Sequence, residues 1–330
     1  LKTIPLLEPL AADLERVEHK MREPTHPEYP QLTAVVQSLL DSGGKRLRPA
    51  LALLAGRVCS ANLDRLVSLA AAVEMLHTAT LVHDDLIDGA LLRRGDPTLN
   101  ANWSAGVTVL TGDYLFARAA ALAAETNHVR VMDIFANTLM IICSGELRQI
   151  FDRHNVPRLD SDEAWQAALA RYDQRIHAKT ASLFAAATEA AAVLSGAPEA
   201  QVAALREYGQ ALGTGFQIID DVLDFRGDEN MLGKPVGSDL REGIVTLPVL
   251  YYLRMQPDDE QVSVVVRGKD DGELVEGVVA AIRESGAVAQ AMERAREFIA
   301  QGKVALESLP RSESRAIMEK LADYTISRQK

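Results

Sequence analysis

Two short acidic motifs with one shared spacing set the strongest limit on this chain. They are D-D-L-I-D at Asp84, Asp85 and Asp88, and D-D-V-L-D at Asp220, Asp221 and Asp224. Each lies in an apolar stretch that reads as α-helix, where residues i and i+4 share a face, so Asp84 pairs with Asp88 and Asp220 with Asp224. Carboxylates crowded among apolar side chains cannot stay ionised without compensating cations. Hard oxygen donors of this kind suit Mg²⁺, which takes a few carboxylates, several waters and the phosphate oxygens of a substrate. One such motif is ordinarily a solvated acidic helix face. Two copies, each among residues suited to phosphate, are not.

Around the first motif, the segment from Glu74 to Asp88 carries His77 about two turns before Asp84, on nearly the same helix face. Arg93 and Arg94 follow, and Arg grips phosphate through paired donors. Upstream, G-G-K-R-L-R-P at Gly43 to Pro49 sets Lys45, Arg46 and Arg48 behind two glycines that let backbone approach an anion. Around the second motif, Gln217 precedes Asp220 by one turn, and Gly233, Lys234 and S-D-L-R-E-G at Ser238 to Gly243 follow. Between the motifs, Lys179 and Thr180 sit in the apolar run R-I-H-A-K-T-A-S-L-F. A lysine there commonly snorkels to solvent; the flanking motifs favour a functional reading. His83, beside the first motif, is read as packing.

The rest of the chain reads as all-α. Ala/Leu/Val stretches with helical spacing dominate at Ala117 to Ala124, Ala164 to Ala170 and Ala181 to Leu194. The aromatic share, 5%, suits a helical bundle better than a sheet core. A β-branched run at Val262 to Val266 fits strand or helix equally. Loops are expected at Pro24 to Pro30, Gly95 to Pro97, Asn155 to Pro157, Gly196 to Pro198 and Gly227 to Gly237. Length alone suggests two domains, but no linker or repeat separates the motifs, so residues 1–330 read as a single domain. A net charge of -11 and a pI near 5.2 argue against a general nucleic-acid binder. Cys59 and Cys143 lie in apolar helical contexts without metal-ligand spacing and read as buried free thiols of a reducing cytoplasm. No long uninterrupted apolar run and no signal-peptide pattern is visible, so a soluble, cytoplasmic protein without a transmembrane segment is expected.

With these motifs in place, the chain resembles the trans-prenyltransferases, the all-trans polyprenyl diphosphate synthases, over nearly its whole length. The likeness runs from the G-G-K-R-x-R-P loop to L-P-x-S-x-x-R and L-A-x-Y near Leu309 and Tyr324. The resemblance implies an isoprenoid-synthase-type helical bundle around a deep central cavity, with the two motifs facing each other across its mouth. It implies three Mg²⁺ per site, with Asp84, Asp88 and Asp220 as direct ligands and Asp85, Asp221 and Asp224 as ligands or their supports. Isopentenyl diphosphate falls to Lys45, Arg48, His77 and Arg94. Lys179, Lys234 and Arg93 neutralise the leaving diphosphate of the allylic substrate, and Thr180 and Gln217 lie near the developing cation. A homodimer is implied, paired through apolar helix surfaces, for which the amphipathic segment Leu6 to Met21 is a candidate. Contact with a membrane would be transient, for product release.

One departure stands out. Many relatives have E-G-K-x-T-L-P after the second motif, whereas Ile244 replaces that lysine here, leaving compensation to Lys234 or water. Product length is read from the turns before Asp84, where Leu76, Ala79 and Thr80 are small or moderate while short-chain relatives place Phe or Tyr. The expectation is a product of about thirty carbons or more, because nothing there overfills the tunnel; Phe135 or Met140 closing it early is the alternative. Class I terpene cyclases differ in their second motif, and a His-Asp phosphohydrolase needs histidines this chain lacks. A short-chain farnesyl or geranylgeranyl synthase and a non-catalytic subunit of a heteromeric synthase remain open.

Overall fold

The computed structural model describes residues 4–23, 29–93, 95–226, 236–268 and 272–328. Arg94, Lys234 and most of the loop expected at Gly227 to Gly237 lie outside them. A 3-10 turn at Pro5–Leu10 leads into α1 (Ala11–Arg22), α2 (Pro30–Asp41), α3 (Leu47–Val58) and α4 (Leu63–Ile87). A minimal antiparallel ribbon follows, β1 (Leu92–Arg93) against β2 (Asp96–Pro97). Next come α5 (Leu99–Asn102), α6 (Ala105–Ala124), α7 (Val129–Asp152) and α8 (Asp162–Ile176). A π-helical turn (His177–Ala181) joins α8 to α9 (Ser182–Leu194), which precedes α10 (Glu199–Arg226). The chain continues through α11 (Ser238–Arg241), α12 (Leu247–Met255), α13 (Gln261–Val266), α14 (Glu273–Glu284), α15 (Ala287–Leu306) and α16 (Glu313–Ser327). The ambiguous valine run is thus helix. Pro30, expected in a loop, opens α2, where its missing N–H is not needed.

The chain forms two compact units, each assembled from separated stretches. One comprises Leu1–Thr138, Leu183–Gly209 and Ala305–Leu321; the other comprises Leu139–Ser182, Gln210–Val304 and Ala322–Lys330.

Helix α4 is the axis of the first unit. Asn62 caps it by accepting from the Arg65 N–H at 3.2 Å. Its side chains are apolar around most of the circumference, and Leu66, Leu69, Val73, Met75, Leu76, Ala79 and Val82 are all buried under α1, α3 and α6. By length and composition α4 and α6 could each cross a membrane, yet 72% of the apolar window in α4 and 44% of that in α6 is buried inside the protein. The apolar face of the N-terminal segment covers α4 as well. Leu7, Leu10, Leu14, Val17 and Met21 are at most 1% exposed. That corrects the reading of this face as a pairing surface, because the first unit consumes it.

Arg46 ties these helices together. It sits in the left-handed region (φ 51°) just before α3 and is 7% exposed. Its guanidinium pairs with Glu18 of α1, donates to Glu74 Oε1 of α4 at 2.8 Å and to the Leu40 carbonyl at 3.2 Å. The basic loop therefore divides its labour: Arg46 is a structural clamp, while Lys45 and Arg48 on either side are half-buried.

The second unit packs α8, α12, α13, α14 and α15 with the last turns of α10. Trp165, Tyr172, Ile218, Ile219, Val222, Phe225, Leu240 and Leu247 lie in its core. The thiol reading needs correction too: Cys59 is half-buried, while Cys143 on α7 is exposed, because α7 turns the face bearing Met140, Cys143 and Leu147 outward.

Removing the Arg46 charge leaves two acids packed for a partner they no longer have. Arg46→Met should cost about 3–5 kcal/mol in urea titration, and more than Lys45→Met measured in parallel.

Candidate active site

Both motifs ride on the carboxyl-terminal turns of the two longest helices among the described residues, α4 with 25 residues and α10 with 28. The carbonyl end of a helix carries negative partial charge, so three acids there are placed against the helix dipole. Cations must restore the balance.

On α4 the stop is built by Gly89. Asp88 is the last near-helical residue, and Gly89 takes φ 63°. The Ala90 N–H reaches back to the Asp85 carbonyl at 2.8 Å and the Gly89 N–H to that of Leu86 at 3.3 Å. This crossed pair of bonds, with glycine in the left-handed position, ends the helix at the motif. Asp85 is buried, and Arg93 returns from the ribbon to clamp it, with Nε and Nη2 at 2.8 and 2.7 Å from Oδ1. Asp84 is half-buried and Asp88 exposed. His83 packs as expected, its ring 5.1 Å from that of Phe116 and seated where Gly112 lacks a side chain.

The second motif repeats the pattern with different partners. Asp221 is 3% exposed; Tyr172 OH donates to its Oδ2 at 2.7 Å and Gln217 Nε2 to its Oδ1 at 3.0 Å. Thr180 Oγ1 in turn donates to Gln217 Oε1 at 2.6 Å, so Thr180, Gln217 and Asp221 form one relay. Burial first, and then the charge of Asp239, raise the Asp221 carboxyl to about 7 against the donors' opposing effect. Burial likewise drives the Tyr172 phenol well above its ordinary value. Asp224 is buried and accepts from the Asp239 N–H at 3.1 Å. Asp220 is 41% exposed and pairs with Arg328 at 2.7 Å. The α10 terminus is itself capped by a cation, since Arg283 donates to the Phe225 carbonyl.

Lys179 and Thr180 occupy the π-helical turn, a local widening frequent at functional sites. Glu146 of α7 lies 3.3 Å from Lys179 Nζ. Among the remaining expected residues, the Arg48 guanidinium stacks on the Phe184 ring at 4.8 Å, and Lys45 and His77 are half-buried. Arg46 docks the basic loop onto α4 at Glu74, ten residues or about 15 Å before Asp84. Leu76 and Ala79 are fully buried, and Thr80 is half-buried with its hydroxyl on the His77 carbonyl. Met140 is 61% exposed and Phe135 is buried.

Several participants carried no sequence signal: Tyr172, Glu146 and Arg328 are single polar residues far from either motif. Arg175 belongs with them. It donates to the Val245 carbonyl at 2.7 Å, beside Ile244, and its positive charge favours the ionised form of Asp221. It thus brings to the E-G-I-V-T-L-P segment a cation beyond Lys234 and water. Among the described residues no three acid, imidazole or thiol groups converge in a preformed metal cage. Carboxylate pairs one turn apart at negatively polarised helix ends nevertheless fit a hard divalent ion that completes its shell with phosphate and water.

The comparisons agree with this geometry. The polyprenyl synthetase family model matches residues 29–282. The chain is 40% identical over 315 residues to heptaprenyl diphosphate synthase component 2 of Geobacillus stearothermophilus, covering 96% of this chain and 95% of that one. The structure of a decaprenyl diphosphate synthase from Rhodobacter capsulatus superposes with TM-score 0.88 at 38% identity, covering 98% of both chains. A polyprenyl synthase from Caulobacter crescentus, solved with calcium and isoprenyl diphosphate, gives 0.87 at 36% identity, covering 98% of this chain and 97% of that one. Geranylgeranyl pyrophosphate synthases share the fold as well. This chain belongs to the polyprenyl synthetase family and is a prenyltransferase of the polyprenyl diphosphate synthase type.

Proposed function

We propose that the chain condenses isopentenyl diphosphate with an allylic diphosphate, in an Mg²⁺-dependent reaction that extends an all-trans polyprenyl diphosphate. The observation that carries this reading is the repeated helix-end motif, its middle acid buried and bonded and its first acid accessible. The six aspartates would hold three Mg²⁺ ions, which when bound withdraw charge from the diphosphate and make it a better leaving group. Lys179, Arg93 and Lys234 add fixed positive charge for the departing group. Lys45, Arg48, His77 and Arg94 hold the isopentenyl diphosphate. As the allylic C–O bond breaks, the Thr180 and Gln217 dipoles lie beside the developing cation, their orientation fixed by Asp221. The isopentenyl double bond forms the new C–C bond, and the proton released passes to the departed diphosphate.

The small Ala79 and moderate Leu76 in the turns before Asp84, where neither Phe nor Tyr stands, support a long product. The alternative is a farnesyl or geranylgeranyl product. The relative named as a component of a heptaprenyl synthase favours a second reading, in which the chain works with a different partner subunit. Both readings keep the chemistry in this chain, and residues 1–330 act as one catalytic domain. The free thiols suit a reducing cytoplasm. A homodimer is supported by exposed apolar side chains: Val107, Val109 and Leu110 on α6, and Met140, Leu147, Ile150 and Phe151 on α7.

Asp84→Ala or Asp220→Ala should keep the far-ultraviolet dichroism of wild type while losing roughly a hundredfold or more in condensation rate. Excess EDTA should abolish the wild-type rate; condensation persisting in EDTA rules the metal reading out. Chromatography of products from labelled isopentenyl diphosphate should give chains of about thirty carbons or more, and Ala79→Tyr should shorten them to about fifteen or twenty by overfilling the space. An unchanged distribution in Ala79→Tyr counts against this account of length. For the dimer, sedimentation at micromolar concentration should give twice the chain mass, and Cys143, within the exposed α7 stripe, should alkylate more slowly as concentration rises.

A further inference from the structure

Asp220, the first acid of the second motif, already has a cation built into the chain. Arg328 follows the last residue of α16, and its side chain is 5% exposed against 41% for Asp220. Three contacts seat the guanidinium on α10. Nη2 donates to Asp220 Oδ1 at 2.7 Å and to the Phe216 carbonyl at 2.6 Å, and the planar group stacks 3.6 Å above the centre of the Phe216 ring. Phe216 lies one turn before Asp220, so backbone, ring and carboxylate form a single cradle. Its Nε is buried without a hydrogen-bond partner. Burying an arginine this deeply is costly unless its charge is matched, and the carboxylate that matches it is a proposed metal ligand.

We propose that Arg328 is a tethered counter-cation that competes with the divalent ion for Asp220, so that metal binding at the second motif is coupled to release of Arg328 and the last turn of α16. A divalent ion at Asp220 draws off the negative charge that matches the buried guanidinium, and the two cations repel at this distance. When the ion takes Oδ1, the guanidinium leaves it and the last turn of α16 loosens. Lys303 and Asp323, paired at 2.8 Å, hold the preceding turns of α16 to α15, so the movement is confined to the residues beyond them. The arginine thus lowers metal affinity and shields an acid at a negatively polarised helix end. This inference rests on the reading of Asp220 as a metal ligand.

The test follows Mn²⁺ binding by the paramagnetic resonance of the free ion, with inorganic pyrophosphate present, in full-length wild type, Asp220→Asn, Arg328→Gln and Arg328→Lys. Hydrogen–deuterium exchange of the segment at 322–328 is measured in parallel. Asp220→Asn should lose one class of Mn²⁺; if it binds Mn²⁺ as wild type does, the metal reading of the second motif fails and this inference with it. If that class is lost, Arg328→Gln should bind it about three- to tenfold more tightly, the range expected for removing a partly exposed charge-assisted hydrogen bond. In wild type, Mn²⁺ should also speed exchange at 322–328. Equal or weaker affinity in Arg328→Gln, or exchange unchanged by Mn²⁺, overturns the inference and leaves the metal site standing. Should the glutamine variant not fold, Arg328→Lys, which keeps the charge but loses the planar stacking on Phe216, decides: tighter binding supports competition and unchanged binding refutes it.

Discussion

Acidic side chains at the carbonyl end of a helix are in the wrong place electrostatically, and much of this protein is arranged around that fact. Helices α4 and α10 each deliver three aspartates to the end where the backbone is already negative. The chain answers with partial neutralisation: Arg93 on Asp85, Arg328 on Asp220, and Arg283 on the last carbonyls of α10. None of these removes the deficit, and the remainder is what a divalent ion and a diphosphate's cationic neighbours can exploit. Long buried helices make the arrangement sustainable. The unfavourable ends are anchored by many turns of apolar packing, so local electrostatic cost does not unravel them.

The two motifs are alike in spacing and unlike in support. Asp85 is clamped by the permanent cation of Arg93. Asp221 is held by a phenol and an amide in a buried site, where burial resists ionisation until about pH 7. The middle acid is thus held by a guanidinium in one motif and by neutral donors in the other. Arg175, beside the segment where Ile244 replaces the usual lysine, shows how an absent charge can be met from another helix.

Much of this was legible in the sequence, for a physical reason. The aspartate pairs, the Gln217 one turn earlier, and the helical periodicity are local patterns, and local patterns survive translation into structure. Thr180, Gln217 and Asp221 do meet, although Thr180 comes from a different helix. What escaped were long-range partners. Nothing in the sequence couples Tyr172 to Asp221 or Arg328 to Asp220, because such pairings are set by tertiary packing. The basic loop shows the same limit from the other side, since three cations in four residues look equivalent until Arg46 is found between Glu18 and Glu74. Amphipathicity misled at the N-terminus, where an apolar stripe says that something is covered but not what covers it. Asp88-Gly89 was a readable stop that periodicity alone did not register.

The π-helical turn at His177–Ala181 carries a restriction on how this segment can change over time. A regular helix tolerates substitution far more readily than a change in residue count, and this turn holds one residue more than the surrounding geometry needs. Deleting it would restore an ordinary α-helix and remove the local widening that carries Lys179 and Thr180, drawing Thr180 away from Gln217. The segment can therefore drift in composition but not in length. A gap of one residue between Ile176 and Ser182 in any descendant of this chain would break the Thr180–Gln217–Asp221 relay before either aspartate motif had altered.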